Sequence, residues 1–190
     1  WNKAHTPGGS STGSSVAVAT RMCAAALGTQ TAGSTCRPAA YNGIVGFKPT
    51  YGRISRYGVV PLSWSMDTVG ILVRSVVDAA VMLQVMAGQD ERDPGSANVI
   101  VPNYMEEMDQ LSDPPRIGLI REFYSDRSSA EVWKHTEDIA QLLAQAGAEI
   151  VEIGLPESFN TNTGTTLLCF VAGIVPVHKL MRRHGSEQFG

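Results

Sequence analysis

The first third of the chain is rich in Gly, Ser and Thr yet interrupted by short apolar runs, and this texture restricts the fold more than any other feature. Trp1 to Thr35 holds 11 Ser or Thr residues against two charged ones. A flexible linker of that composition lacks apolar runs. Here Val16 to Ala19 and Cys23 to Leu27 are apolar and suit packing against a sheet. Glycine at such density lets backbone approach another group closely or supplies positive φ. The segment therefore reads as an irregular loop at Thr6 to Gly13, a buried helix from Ser14 to Leu27, and a second loop at Gly28 to Pro38.

Downstream, the pattern becomes that of alternating strands and helices. Thr68 to Val73 reads as a buried strand. Ser75 to Ala87 reads as a helix, opened by a capping box of Ser75 and Asp78 and closed by Gly88. Asp90 to Asp113 is polar and punctuated by proline, a surface connection. Arg116 to Ile120 is a strand after two prolines. Ser128 and Glu131 form a second capping box, Val132, Thr136, Ile139, Leu143 and Ala146 recur at helical spacing, and Gly147 ends that helix. Ala148 to Ile153 is a strand. A β-α-β unit implies a parallel or mixed sheet with helices on it, so the expected class is α/β, a mixed twisted sheet covered by helices. One more helix is expected over 165–183, bent near Pro176. Met82, Met86 and Trp64 read as core.

Composition enters by exclusion. With 43% hydrophobic and 17% charged residues among 190, the chain is globular. Its longest apolar run, Leu167 to Val177, is interrupted by Gly173 and Pro176 and falls short of the ~20 residues that span a bilayer. No membrane association is expected. Cys23, Cys36 and Cys169 form no C-x-x-C pair and read as free thiols in a reducing compartment, the cytoplasm. The four histidines show no metal-binding spacing, so no metal is expected. The net charge of −3 is too small to argue for nucleic acid or a membrane, and no direct nucleic-acid binding is expected. Its distribution is uneven: Trp1 to Met66 has six basic side chains and no acidic one. That asymmetry reads either as ordinary surface chemistry or as a site favouring anionic or electron-rich ligands.

Three readings of the Gly/Ser loops compete. Gly9-Ser10-Ser11-Thr12-Gly13 formally matches the nucleophile elbow G-x-S-x-G, but an elbow follows a buried strand and Trp1 to Gly8 has no strand character. Gly8 and Gly13 have phosphate-loop spacing, but Ser14 stands where the phosphate-binding lysine belongs. The third reading joins both loops into one site. Ser10, Ser11 and Thr12 lie in the first. The second, Thr29 to Ser34, offers Ser34 preceded by small residues that let backbone N–H groups turn inward as an oxyanion nest. Ser10 and Ser34 can then meet at one end of the intervening helix. Tight turns without chemistry are the alternative.

The strings PGGSSTGSSVAVA, LGTQTAGSTCRPAAYNGIVGFKPTYGRISRYGVVPL and DTVGILVRSVVDAA resemble the amidase signature family, densely from Trp1 to Gly88 and more loosely from Pro115 to Pro156. The resemblance implies an α/β amidase signature fold and a Ser–cis-Ser–Lys triad that cleaves amide carbon–nitrogen bonds through an acyl-enzyme, with no cofactor. Mapped here, Ser34 is the nucleophile and Ser10 the bridging serine after a cis peptide bond. The N–H groups of Thr31, Ala32, Gly33 and Ser34 form the oxyanion hole, and Ser11 supports the network. Arg37 is a candidate for binding a substrate carboxylate, with a structural ion pair as the alternative.

The family's lysine lies before the GGSS motif. Lys3 is too close to correspond and Lys48, in GFKPT, suits packing. The chain therefore reads as an internal fragment of one amidase signature domain: 1–88 the signature core, 89–114 a surface connection, 115–190 a β-α-β extension and terminal helix. It is expected to be inactive alone. Gln30 and Ala32 stand where family members often carry Asp and Gly. Arg37 lies three residues after Ser34, where amidotransferase members more often place the arginine two after. The leading expectation is a stand-alone amidase taking a small-molecule amide, with self-association left open. The alternative is the glutamine-hydrolysing A subunit of a glutamyl-tRNA(Gln) amidotransferase.

Overall fold

The computed structural model describes residues 2–108, 110, 113–122, 124–156 and 179–185. The chain divides into two compact units, one comprising 1–108 and 165–190, the other 109–164.

The first unit is organised by one strand. In order it holds α1 (Thr12–Ala19), β1 (Ala26–Gln30), α2 (Cys36–Asn42), β2 (Val45–Phe47), β3 (Thr68–Val73), α3 (Val76–Met86) and the single turn α4 (Tyr104–Glu107). β3 is central in a three-stranded antiparallel sheet of order β1-β3-β2. All six of its residues are buried. Side chains alternate across a strand, and here the alternation feeds two cores. Val69, Ile71 and Val73 pack with Ala79 and Leu83 of α3 and with Ile54. Leu72 packs on the other face with Val18 of α1 and Ala39 of α2. A strand covered on both faces reads as a continuous apolar run, which is why Thr68 to Val73 was legible.

α1 is shorter than the expected 14–27 helix. It stops at Ala19, and Ala26 to Gln30 is an edge strand. The stop is a Schellman motif: Met22 N donates to Ala17 O at 2.8 Å and Arg21 N to Val18 O at 3.1 Å, with Arg21 left-handed at φ 64°. Glycine usually marks that position, and arginine concealed it. α2 occupies part of the expected 28–38 loop, and its Pro38 sits in the first turn, where the missing N–H costs nothing. α3 begins as expected, with Ser75 accepting from Asp78 N. Met82 and Met86 pack against the core, but Trp64 is 58% exposed, lying over the Arg56 guanidinium at 5.3 Å.

In the second unit β4 (Arg116–Leu119) and β5 (Glu149–Glu152) pair in parallel across α5 (Ala130–Gln145). The β-α-β expectation holds there. The cap is Ser129, whose side chain accepts from Val132 N, rather than Ser128. Of the expected helix at 165–183, residues 179–184 are helical and 165–178 lie outside the described residues, as does Cys169. Among the described residues no helix is long and apolar enough to cross a membrane.

Two features of the first unit fix the segments that later matter. Gly70 lets α2 approach β3: a Cβ there would sit 2.5 Å from Thr35 Oγ1 and 2.8 Å from its Cγ2, and Thr35 is fully buried. Below the sheet, buried Arg56 ties several segments together. Its Nη1 donates to the carbonyls of Trp64 (2.7 Å) and Asp67 (3.3 Å), its Nη2 to Tyr51 Oη (2.6 Å), and its Nε lies 3.6 Å from Asp93 Oδ2. Asp93 Oδ2 also accepts from Arg56 N at 2.7 Å, and Oδ1 from Gly95 N at 2.9 Å. Burial pushes the Asp93 carboxyl up, but those N–H groups and the guanidinium outweigh it, so the net direction is below the ordinary carboxylate range.

Two predictions follow the packing and the charge. Gly70→Ala lowers stability by about 1–3 kcal/mol through overpacking, and adding Thr35→Ala recovers much of the loss, both read from denaturant melts. Asp93→Asn costs about 3 kcal/mol at neutral pH because it leaves Arg56 buried without its counter-charge. Because the folded carboxyl titrates below the unfolded one, its stabilisation is complete above about pH 4 and disappears as pH falls through the lower folded value. The stability gap between wild type and Asp93→Asn, followed by acid titration, narrows below that pH.

Candidate active site

The two Gly/Ser loops meet. Ser11 N donates to Ser34 O at 3.1 Å, so Ser10 and Ser34 belong to adjoining stretches of backbone although they are far apart in sequence. The Gly9–Ser10 peptide is cis. Ser10 is exposed and Ser34 partly buried. Among the described residues no strand precedes this loop, so neither the elbow nor the phosphate-loop arrangement is present.

Side chains from three directions hold the first loop by its carbonyls. Asn42 Nδ2 donates to Pro7 O at 2.8 Å, Thr12 Oγ1 to Gly8 O at 2.6 Å, and Arg37 Nε to Gly9 O at 3.1 Å. Three consecutive carbonyls thus have fixed partners, which leaves the backbone on either side of Ser10 little freedom. Ser11 clips the loop to the edge of β1, where its hydroxyl donates to Thr29 O (3.3 Å) and accepts from Thr29 N (3.2 Å). That clip needs Gly28, where a Cβ would come 2.5 Å from Ser11 Oγ. Ser14 adds a bond to Leu27 O at 2.7 Å.

The second loop leaves β1 at Gln30 and enters α2 at Cys36. Gln30, 6% exposed, organises it from beneath. Its Oε1 accepts from Thr35 N and Cys36 N, both at 2.9 Å, and its Nε2 donates to Ala32 O at 3.1 Å. The helix-opening N–H groups are thereby satisfied. The N–H groups of Ala32, Gly33 and Ser34 have no hydrogen-bond partner among the described residues, and such a row can receive an oxyanion. Thr31, at the start of the row, donates its hydroxyl to Asp67 Oδ1 at 2.5 Å. A shallow cleft lies against the first loop and β1, lined by Ser10, Ser11, Thr29, Val59 and Val69 among others.

Of the residues singled out from sequence, Ser10, Ser11, Thr31, Ala32, Gly33 and Ser34 fall in this one region. Arg37 is there too, but among the described residues it pairs with no carboxylate and instead holds the Gly9 carbonyl. Lys48 donates to Pro49 O at 2.9 Å. Cys36 is exposed and free, its Sγ 3.6 Å from Gly46 O. The sequence reading missed Asn42 and Asp67 as parts of the region and noted Gln30 only as a departure. Asn42 and Asp67 lie within the quoted strings, but the groups they reach across the fold, Pro7 O and the Thr31 hydroxyl, are 35 and 36 residues away, so spacing does not mark the contacts; Asn42-Gly43 by itself marks a turn.

Comparison with known proteins identifies the family. The family model described as Amidase matches residues 1–182. The A subunit of the glutamyl-tRNA(Gln) amidotransferase of Trichlorobacter lovleyi is 42% identical over 97% of the chain and 38% of its own length. That of Clostridium novyi is 46% identical over 82% of the chain and 32% of its own length. Among solved structures, a peptide amidase in complex with the competitive inhibitor chymostatin superposes with TM-score 0.82 and 33% identity, covering 97% of this chain and 38% of that one. The corresponding glutamyl-tRNA(Gln) amidotransferase A subunit of Thermotoga maritima gives TM-score 0.79 and 32% identity, covering 96% and 39%. The chain thus spans between three and four tenths of the length of the relatives it matches, and its fold is theirs. With the family model matched over residues 1–182 and relatives 42% and 46% identical over most of its length, this chain is a member of the Amidase family.

Proposed function

We propose that the whole protein cleaves amide carbon–nitrogen bonds, with Ser34 as nucleophile and Ser10 as the relay that removes its proton. The observation that carries this reading is the Ser11 N to Ser34 O hydrogen bond, which brings the two serine-bearing loops together beside the unpartnered amides of Ala32, Gly33 and Ser34. A serine hydroxyl is a weak nucleophile at neutral pH and needs a base in reach. In this reading the base is a neutral lysine supplied by a part of the protein outside these residues, completing a Ser–Ser–Lys triad. The lysine draws a proton through Ser10, Ser34 adds to the carbonyl carbon, and the negative charge on oxygen is received by the amide row. Collapse expels the amine as the proton returns to nitrogen, and water then hydrolyses the ester on Ser34. Ser11 acts at one remove by clipping the first loop to β1. Arg37, exposed and holding Gly9 O through Nε, keeps its terminal amino groups available for a substrate carboxylate. The reading needs no metal or organic cofactor. It places the protein in the cytoplasm, supported by the free thiols of Cys23 and Cys36.

A second reading is favoured by the relatives at 42% and 46% identity: that the protein releases ammonia from glutamine as one component of a transfer-RNA amidotransferase. It uses the same serines and differs in requiring partner proteins. Glutamine hydrolysis that appears only when those partners are added supports it, and turnover of simple amides by the protein alone supports the stand-alone enzyme.

In the whole protein, Ser34→Ala lowers turnover of an amide substrate by at least about 10³-fold with the melting temperature unchanged. Ser10→Ala does nearly as much, because the relay and the nucleophile act as a unit. Turnover by Ser34→Ala near the wild-type rate refutes the assignment.

A further inference from the structure

We propose that Asp67 is a positioning residue for acyl transfer, its buried carboxylate holding the Thr31 end of the amide row and the wall of the cleft in one fixed relation. The inference rests on the reading of Ser34 as nucleophile. Asp67 is 6% exposed. One carboxylate oxygen, Oδ1, accepts the Thr31 hydroxyl at 2.5 Å. The other, Oδ2, accepts Leu62 N at 2.6 Å and Ser63 N at 2.8 Å. Its main-chain carbonyl receives Arg56 Nη1 at 3.3 Å, so the residue is held from both its backbone and its side chain.

Strand register is what makes the Thr31 contact. β1 and β3 pair with Gln30 opposite Thr68, and one step beyond the paired residues Thr31 comes opposite Asp67. Slipping the register would carry β3 side chains to the wrong face, so the two-sided core of β3 also dictates this hydrogen bond. A hydroxyl bound to an ionised acceptor is held roughly twice as strongly as by a neutral one. Thr31 is the first residue of the loop whose next three N–H groups are unpartnered, and Gln30 fixes the loop from the other side through Ala32 O. The Oδ2 arm reaches the opposite direction. Leu62 and Ser63 end the segment that carries Val59 to the cleft beside Ser10 and Thr29. One carboxylate therefore ties the loop that carries the amides to the segment that brings Val59 to the cleft beside Ser10.

The catalytic consequence follows from how an oxyanion hole works. Its donors act only when they already stand at hydrogen-bond distance from the developing charge, and misplacement by about 1 Å costs on the order of a hundredfold in rate. Removing the Thr31 hydroxyl releases the amide row without touching the nucleophile or any backbone donor.

The test is inactivation of the whole protein by a fluorophosphonate, resolved into KI and kinact, with melting temperature measured in parallel. Four variants suffice: Thr31→Val, Thr31→Ser, Asp67→Asn and Thr31→Val with Asp67→Asn. Thr31→Val lowers kinact by at least about tenfold with KI within about twofold of wild type, and Thr31→Ser restores kinact. Asp67→Asn lowers kinact at least as far, and the double variant is no slower than Asp67→Asn alone, because both break one contact. Wild-type kinact in Thr31→Val, or losses that simply multiply in the double variant, overturns the proposal. Should Asp67→Asn fail to fold, the Thr31→Val and Thr31→Ser pair decides by itself. Ser34→Ala separates the levels: if it is labelled like wild type, the nucleophile reading falls and this proposal with it. If it is unlabelled while Thr31→Val behaves as wild type, only this proposal falls.

Discussion

Burial of β3 on both faces is the constraint from which the rest of the first unit derives. Each Ile, Leu or Val placed there gains roughly 1.5–3 kcal/mol from leaving water, and alternation sends Val69, Ile71 and Val73 to α3 and Leu72 to α1 and α2. Covering the second face requires α1 and α2 to lie on the same side. β1 pairs along one edge of β3, so the loop entering α1 and the loop joining β1 to α2 are brought side by side. Gly70 permits the approach of α2 by leaving room for the Thr35 side chain. The meeting of the loops that carry Ser10 and Ser34 is thus a product of core packing.

Rigidity of the two loops comes from polar side chains that reach across elements. Asn42, Thr12 and Arg37 take the carbonyls of Pro7, Gly8 and Gly9 in turn. Gln30 takes the N–H groups that open α2, while those of Ala32, Gly33 and Ser34 have no hydrogen-bond partner among the described residues. A free N–H row in an otherwise satisfied loop is what a developing oxyanion requires, because no reorganisation is needed when charge appears. Arg37, Lys48, Arg53 and Arg56 all donate to backbone carbonyls, which suits a stretch that contains no acidic side chain of its own.

Much of this was legible in the sequence where local rules are strong. The apolar run of β3, the Ser75 cap of α3 and the strand-helix-strand order of the second unit follow from periodicity and capping. The serine loops were recognisable by motif strings, and their residues lie together. Failures occurred where a residue departed from its usual role. Arg21 in a left-handed position ended α1 without the glycine that normally signals a stop. Pro38 hid α2, because proline reads as a breaker although the first helical turn tolerates it. Ser129 rather than Ser128 caps α5, a one-residue choice set by the backbone of the preceding turn. Asp67 and Asn42 lie within the motif strings, but their roles come from strand register and helix packing between distant segments, which spacing does not show.

The central claim is that Ser34 carries the acyl group. Trapping the whole protein during turnover of a slowly deacylating ester or amide, then mapping the added mass by peptide mass spectrometry, tests it most directly. The acyl mass on the peptide that contains Ser34, localised to that residue by fragmentation, is the expected result. An acyl group on Ser10, on Cys36 or on any residue outside that loop contradicts it.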